Sequence, residues 1–194
     1  MAALADEKAA LRRSILARRD ATAAPERARL STRITEHLLS LPAFAQAGCV
    51  LAYLSFGSEY DTAQFVAAVA AAGKRLLLPR VDRSKRRLQL YEVVDPASQT
   101  GPGTWGIREP IADRCSPAQR EAAALVLAPG LAFTAAGERL GYGGGFYDRL
   151  LADWPRHPLI LAGAFSLQIV PQLPIGPHDA RMDRVVTEDG LLGG

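Results

Sequence analysis

Five short runs of apolar residues, separated by helix-like and loop-like text, constrain this chain more than any other feature. They are Cys49 to Leu54, Leu76 to Leu78, Ala124 to Leu127, Leu159 to Ala164 and Val185 to Thr187. A strand with one wet face alternates apolar and polar residues, whereas a strand covered on both faces reads as a continuous apolar run. The runs therefore predict a sheet buried on both sides. Their alternation with helices predicts parallel strands joined by crossovers. Arg87 to Val93 does alternate, so it is expected near a sheet edge. Two helices are expected before the first strand. One carries Leu4, Leu11, Ile15 and Leu16 at helical spacing and sets Lys8 and Arg12 on one face. The other opens at Pro25, buries Leu30, Ile34, Leu38 and Leu41, and is limited by Pro42. Asp61 reads as the cap of a third helix that Gly73 terminates. The expected fold class is α/β: a single layered domain spanning 1–194, Rossmann-like and three-layered, with a largely parallel sheet flanked by helices.

Several function classes are disfavoured by what the chain contains. No apolar stretch approaches the roughly 20 residues of a membrane helix, and the opening residues lack the layout of a secretory signal, so a cytoplasmic chain without a membrane partner is expected. Cys49 and Cys115 are the only cysteines, too few for a disulfide framework and without Cys-x-x-Cys spacing. His37, His157 and His178 lack metal-ligand spacing, and there is no Gly-x-Ser-x-Gly elbow. The basic run from Arg83 to Arg87 has no interleaved aromatics, so it reads as a solvated turn, and no nucleic-acid partner is expected. A monomer is expected.

The stretch Arg139 to Asp148, RLGYGGGFYD, is the most informative for chemistry. Its glycines Gly141, Gly143, Gly144 and Gly145 leave backbone amides uncovered just before a helix begins, which is how a phosphate is cradled without side chains. Arg139 adds a full charge. The spacing fits neither the dinucleotide fingerprint nor a Walker A loop. Asp148 follows directly, and Asp183 lies in the second charged segment MDRVVTED, so two hard carboxylates could share a magnesium ion. Each aspartate could equally cap a helix or face water.

Together these segments resemble the 5-formyltetrahydrofolate cyclo-ligase family, also called methenyltetrahydrofolate synthetase. The order of features is similar over nearly the whole chain: the helix with Lys8 and Arg12, a strand and loop from Leu54 through Glu59 and Asp61, GKRLLLPRV from Gly73, GTWGIREP from Gly103, APGLAFTAAGERLGYGGGFYDRLL from Ala128 and HDARMDRVVTEDG from His178. It departs from the family's pattern at Tyr142 or Gly144, where many relatives carry a basic residue.

The resemblance implies ATP-dependent cyclisation of 5-formyltetrahydrofolate to 5,10-methenyltetrahydrofolate, with ADP and phosphate released after the formyl oxygen is phosphorylated. ATP as co-substrate, Mg2+ and a reduced folate are the implied partners. Lys8, Arg12, Arg139, Gly141, Gly143, Gly144, Gly145, Phe146 and Tyr147 are expected to bind ATP, and Asp148 and Asp183 the metal. Leu54, Phe56, Glu59, Trp105, Tyr142 and Tyr147 are expected to bind the folate, with Glu59 and Tyr147 assigned to catalysis. Arg80 and Arg108 are candidates for the folate's anionic tail. Two other readings stay open on the residues alone: a non-catalytic nucleotide- or RNA-associated binding module on the same fold, and a sugar-phosphate isomerase-like enzyme.

Overall fold

A computed structural model describes residues 2–152 and 154–192. Helices α1 (Ala2–Asp20), α2 (Ala24–Ser40) and α3 (Pro42–Gln46) precede strand β1 (Cys49–Leu51). Proline opens α2 and α3 because its missing N–H falls where a helix has no acceptor for one. Helix α4 (Ala63–Ala71) follows, and Gly73, at φ +66°, ends it. Asp61 reaches the first turn as expected, its Oδ1 accepting from the Ala63 amide at 3.0 Å. Strands β2 (Arg75–Asp82) and β3 (Arg87–Glu92) form a hairpin whose turn is the basic run. Next come α5 (Pro96–Gln99), the small hairpin β4 (Thr100–Pro102) and β5 (Arg108–Pro110), then β6 (Ser116–Ala118) and β7 (Leu125–Leu127). The chain finishes with β8 (Ala132–Phe133), β9 (Arg139–Leu140), α6 (Phe146–Leu151), β10 (Leu159–Gly163), β11 (Arg184–Thr187) and β12 (Gly190–Leu192).

The main sheet runs β12-β11-β10-β7-β1-β2-β3-β6. Its five central strands, β11 to β2 in that order, are parallel, and β12, β3 and β6 add antiparallel edges. The two-sided burial predicted from the apolar runs is seen residue by residue. Val50, Leu76, Leu78, Leu125, Leu127 and Leu161 pack under α2, α3 and α4 with Ile34, Phe44 and Phe65. Their neighbours Leu51, Leu77, Val126 and Ile160 face the other way, against Phe133, Leu150, Leu151 and Met182. On that second face α6 is short and loops supply much of the cover, so the third layer is less helical than a doubly wound fold would make it. Helix α1 leaves the main layers and packs Ile15 against Ala132, Leu140 and Leu173. This brings α1 over the segment that leads into the glycine loop. Among the described residues no helix is long and apolar enough to cross a membrane.

Candidate active site

Parallel strands deliver their following loops to one side of the sheet, where a ligand can lie across several of them. Here the loop after β1, the β4–β5 hairpin and the glycine loop between β9 and α6 meet around a cavity of about 450 Å³. That volume lies within the usual range for small-molecule sites. Leu54, Pro79, Val81, Leu88 and Ile107 give it apolar walls, and Phe56, Trp105, Tyr142, Phe146 and Tyr147 give it aromatic ones.

Glu59 is one of three acids that line this cavity, with Glu109 and Asp148. It is 6% exposed; the Phe56 amide donates to its Oε2 at 3.0 Å, and the Tyr142 hydroxyl donates to its Oε1 at 2.5 Å. Burial raises its pKa, opposed by the Tyr142 hydroxyl, the Phe56 amide and the nearby Arg19 charge. Phe56 and Tyr142 tilt against each other with ring centres 5.3 Å apart. Trp105 sits at the rim, 63% exposed, edge-on to Phe146 at 5.9 Å and beneath the Arg83 guanidinium. Its φ of +58° is a left-handed conformation that a bulky residue seldom adopts, a strained position of the kind found at ligand sites. Tyr147 lines the cavity, and its buried hydroxyl has no partner among the described residues. Burial pushes that phenol far above its ordinary value, so it would serve as a hydrogen-bond donor rather than as a base.

The glycine loop lies between β9 and α6 with its amides uncovered. No acceptor among the described residues meets the backbone amides from Tyr142 to Gly145. Gly143 and Gly145 take φ values of +102° and +64°, and a Cβ on Gly144 would lie 2.7 Å from the Phe146 ring. Since α6 has only six residues, the loop presents to a ligand chiefly its uncovered amides rather than a long helix's dipole. Arg12 braces the loop, with its Nε donating to the Gly141 carbonyl at 2.9 Å and its guanidinium beside Gly143.

Three expected roles change in the structure. Lys8 turns from the loop to Asp179, at 2.5 Å, and does not line the cavity. Arg139 is ion-paired with Asp148 and donates to the Pro129 carbonyl at 3.1 Å, so its charge is largely compensated and only its buried Nε lacks a partner among the described residues. Asp183 does not join Asp148. It stands just before β11, at the amino end of the sheet, where its Oδ2 accepts from the Ile160 amide at 2.7 Å and from His157 at 3.2 Å. Asp148 lines the cavity; its Oδ1 accepts from Arg139 and, at 3.1 Å, from the Ala180 amide. The two aspartates expected to share a magnesium ion thus have different partners, and of the two only Asp148 is among the residues lining the cavity. Among the described residues no three His, Cys, Asp or Glu side chains converge on a metal position.

Two residues escaped the sequence reading. Arg19, at 1% exposure, donates from Nε to Ser58 and from Nη2 to the Tyr142 hydroxyl. Glu109, on β5, is buried at the cavity wall and accepts from the Val81 amide at 3.3 Å. Its position within GTWGIREP was the available signal. Arg108 donates to Thr100, while Arg80 lines an adjoining groove with Arg83 and Trp105.

Comparison with known proteins gives the chain's relatives. The model of the 5-formyltetrahydrofolate cyclo-ligase family matches residues 5–188. A 5-formyltetrahydrofolate cyclo-ligase of Escherichia coli K12 is 30% identical over 171 residues, covering 88% of this chain and 94% of that protein. Its counterpart in Mus musculus is 28% identical over 193 residues, covering 94% of each. A solved 5,10-methenyltetrahydrofolate synthetase of Aquifex aeolicus superposes with a TM-score of 0.84 at 33% identity, over 96% of this chain and 92% of that one.

Proposed function

The chain belongs to the 5-formyltetrahydrofolate cyclo-ligase family, and from that premise we propose that it converts 5-formyltetrahydrofolate to 5,10-methenyltetrahydrofolate, with ATP as co-substrate and ADP and phosphate as products, in the cytoplasm. The observation that carries this reading is the convergence, in one cavity, of the buried acid Glu59, apolar and aromatic walls, and a glycine loop with unpaired amides. A flat pterin needs the first two, and a phosphate chain needs the third.

The chemical obstacle is the formamide oxygen, which is a poor leaving group when the neighbouring folate nitrogen attacks. ATP supplies the remedy by turning that oxygen into part of a phosphate ester, which departs as phosphate. Such a transfer asks a protein for positioning and positive potential rather than for a covalent nucleophile. In this chain the amides of Tyr142 to Gly145 supply the potential and Arg12 keeps their loop in place. Glu59 accepts from the donors on the pterin edge, and Leu54, Phe56, Trp105 and Tyr142 hold its faces. Tyr147 offers its unpaired hydroxyl as a donor beside the reacting groups. Lys8, tied to Asp179, acts on the phosphates only at a distance. Asp148 is the cavity aspartate suited to magnesium, through the oxygen that Arg139 leaves free.

The test is the absorbance of 5,10-methenyltetrahydrofolate when the purified protein meets 5-formyltetrahydrofolate and Mg2+, with and without ATP. A rise that requires ATP is expected. No rise from demonstrably folded protein would reject the reaction.

A further inference from the structure

Arg19 is a buried cation outside the expected site, yet its hydrogen bonds lead straight into it. Nη2 donates to the Tyr142 hydroxyl at 3.0 Å, and that hydroxyl donates to Glu59 Oε1 at 2.5 Å. Nε donates at 3.0 Å to Ser58 Oγ, which in turn donates to Asp20. The connections join α1 to two of the three segments that build the cavity.

The polarity of this chain is fixed by its first member. A guanidinium can only donate, so the Tyr142 oxygen accepts from Arg19 and its single proton must point to Glu59. Glu59 Oε1 is then an acceptor, and Oε2 is likewise an acceptor toward the Phe56 amide. Each oxygen already accepts a proton-bearing donor, and such hydrogen bonds favour the charged form of a carboxyl. Each oxygen keeps a further lone pair free for a substrate donor.

We propose that Arg19 is a positioning residue for the substrate-binding acid: through Tyr142 and Ser58 it holds Glu59 ionised and oriented, so that its carboxylate meets the pterin edge as an acceptor. This deepens the folate reading and rests on it for the identity of the substrate. Arg108 and Arg139 line the same cavity, but among the described residues it is Arg19 whose charge acts on Glu59. From α1 comes Arg19, with Asp20 beyond Ser58; from the glycine loop comes Tyr142; Tyr53 and Tyr147 stand around it as neutral phenols, their own ionisation suppressed by burial and by the Glu59 charge. The Arg19 charge is among the influences that lower the Glu59 pKa against burial. Removing it therefore shifts Glu59 toward its neutral form.

The experiment compares wild type with Arg19→Met, Arg19→Lys and Tyr142→Phe in two readouts. The first is the pH profile of kcat/KM for 5-formyltetrahydrofolate, with KM for ATP measured alongside. Arg19→Met should move the acid limb up by about one pH unit, since a nearby opposite charge shifts a carboxyl by that order. It should also raise the folate KM about tenfold near neutral pH and leave the ATP KM unchanged. Arg19→Lys, which keeps the charge but not the fork, should recover part of the shift. The second readout is a carbon-13 NMR titration of the Glu59 carboxyl in the free protein, where the same order of variants is expected. If Arg19→Met fails to fold, Tyr142→Phe at its partly exposed position carries the test, with a shift in the same direction. An unmoved Glu59 titration in the folded variants overturns the proposal, as does an equal loss for folate and ATP without a pH shift. Wild-type protein that forms no methenyl product rejects the folate reading instead, and the NMR titration still decides the role of Arg19.

Discussion

Glu59 ionises in surroundings that oppose its charge. Burial raises its pKa, and the hydroxyl, amide and guanidinium around it offset only part of that. A carboxyl held above its ordinary value favours the fold fully below the ordinary Glu range, and that stability is lost as pH rises through the raised value. Glu59→Gln, which carries no charge at any pH, should therefore lack the loss of about 1 kcal/mol, or roughly 2–4 °C in Tm, that wild type shows as pH rises from below the ordinary Glu range to pH 8. The same variant should lose most of its kcat/KM for the folate. Calorimetry across pH decides the first point, and an equal pH dependence of Tm in wild type and variant would contradict it. The unequal legibility of single residues has a physical basis. Glu59 and Tyr142 lie in the compact segments SFGSEYD and RLGYGGGFYD, whose local chemistry is visible in the text. Arg19 looks like any other helix charge until Ser58 and Tyr142, 39 and 123 positions away, close over it. Asp183 shows the converse: its charged segment suggests a ligand, and the β10–β11 register delivers it to the amino end of the strands, onto the Ile160 amide.

At the scale of elements, the buried parallel strands could be read because sequence burial and sheet burial coincide there. The β4–β5 hairpin could not: its strands have three residues each, and β4 is Thr-Gly-Pro, a sequence with no strand pattern at all. Only pairing with β5 extends it. This hairpin carries Trp105 on the cavity rim, where the ring meets Phe146 and Arg83 but is mostly open to solvent. Trp105→Ala should thus leave Tm within about 2 °C, since little packing is lost. It should raise the folate KM about tenfold, which corresponds to the upper end of what one aromatic stacking partner contributes. Steady-state kinetics with the folate varied provides the check, and an unchanged KM would remove Trp105 from the site. The glycine loop makes the complementary prediction. Gly144→Ala puts a methyl 2.7 Å from the Phe146 ring, so the ring or the loop has to move. The expected result is a rise in the ATP KM of about tenfold or more with a smaller change for the folate. Equal changes for both substrates would mean that the loop supports the whole cavity rather than the phosphates.

For the molecule as a whole, α1 is both part of the core and part of the site. Ile15 seals the cluster with Ala132, Leu140 and Leu173, while Arg12 and Arg19 reach the glycine loop from the same helix. Removing residues 1–20 would therefore open the core as well as weaken ATP binding, and it cannot separate the two effects. A point change on the partly exposed Arg12 can. Anything that binds only the folded chain stabilises it by mass action, so Mg2+ and ATP at about 100 times Kd should add roughly 2.7 kcal/mol, or about 5–10 °C in Tm for a chain of this size. Arg12→Met loses the brace on Gly141 but none of the buried apolar cluster. Its Tm without nucleotide should stay within about 2 °C of wild type, while the shift produced by Mg2+ and ATP should shrink by more than half. Differential scanning fluorimetry at a series of ATP concentrations measures both quantities in one experiment. A full shift in Arg12→Met would mean that the loop binds phosphate without help from α1, whereas a low starting Tm would mean that Arg12 supports the fold itself rather than the site.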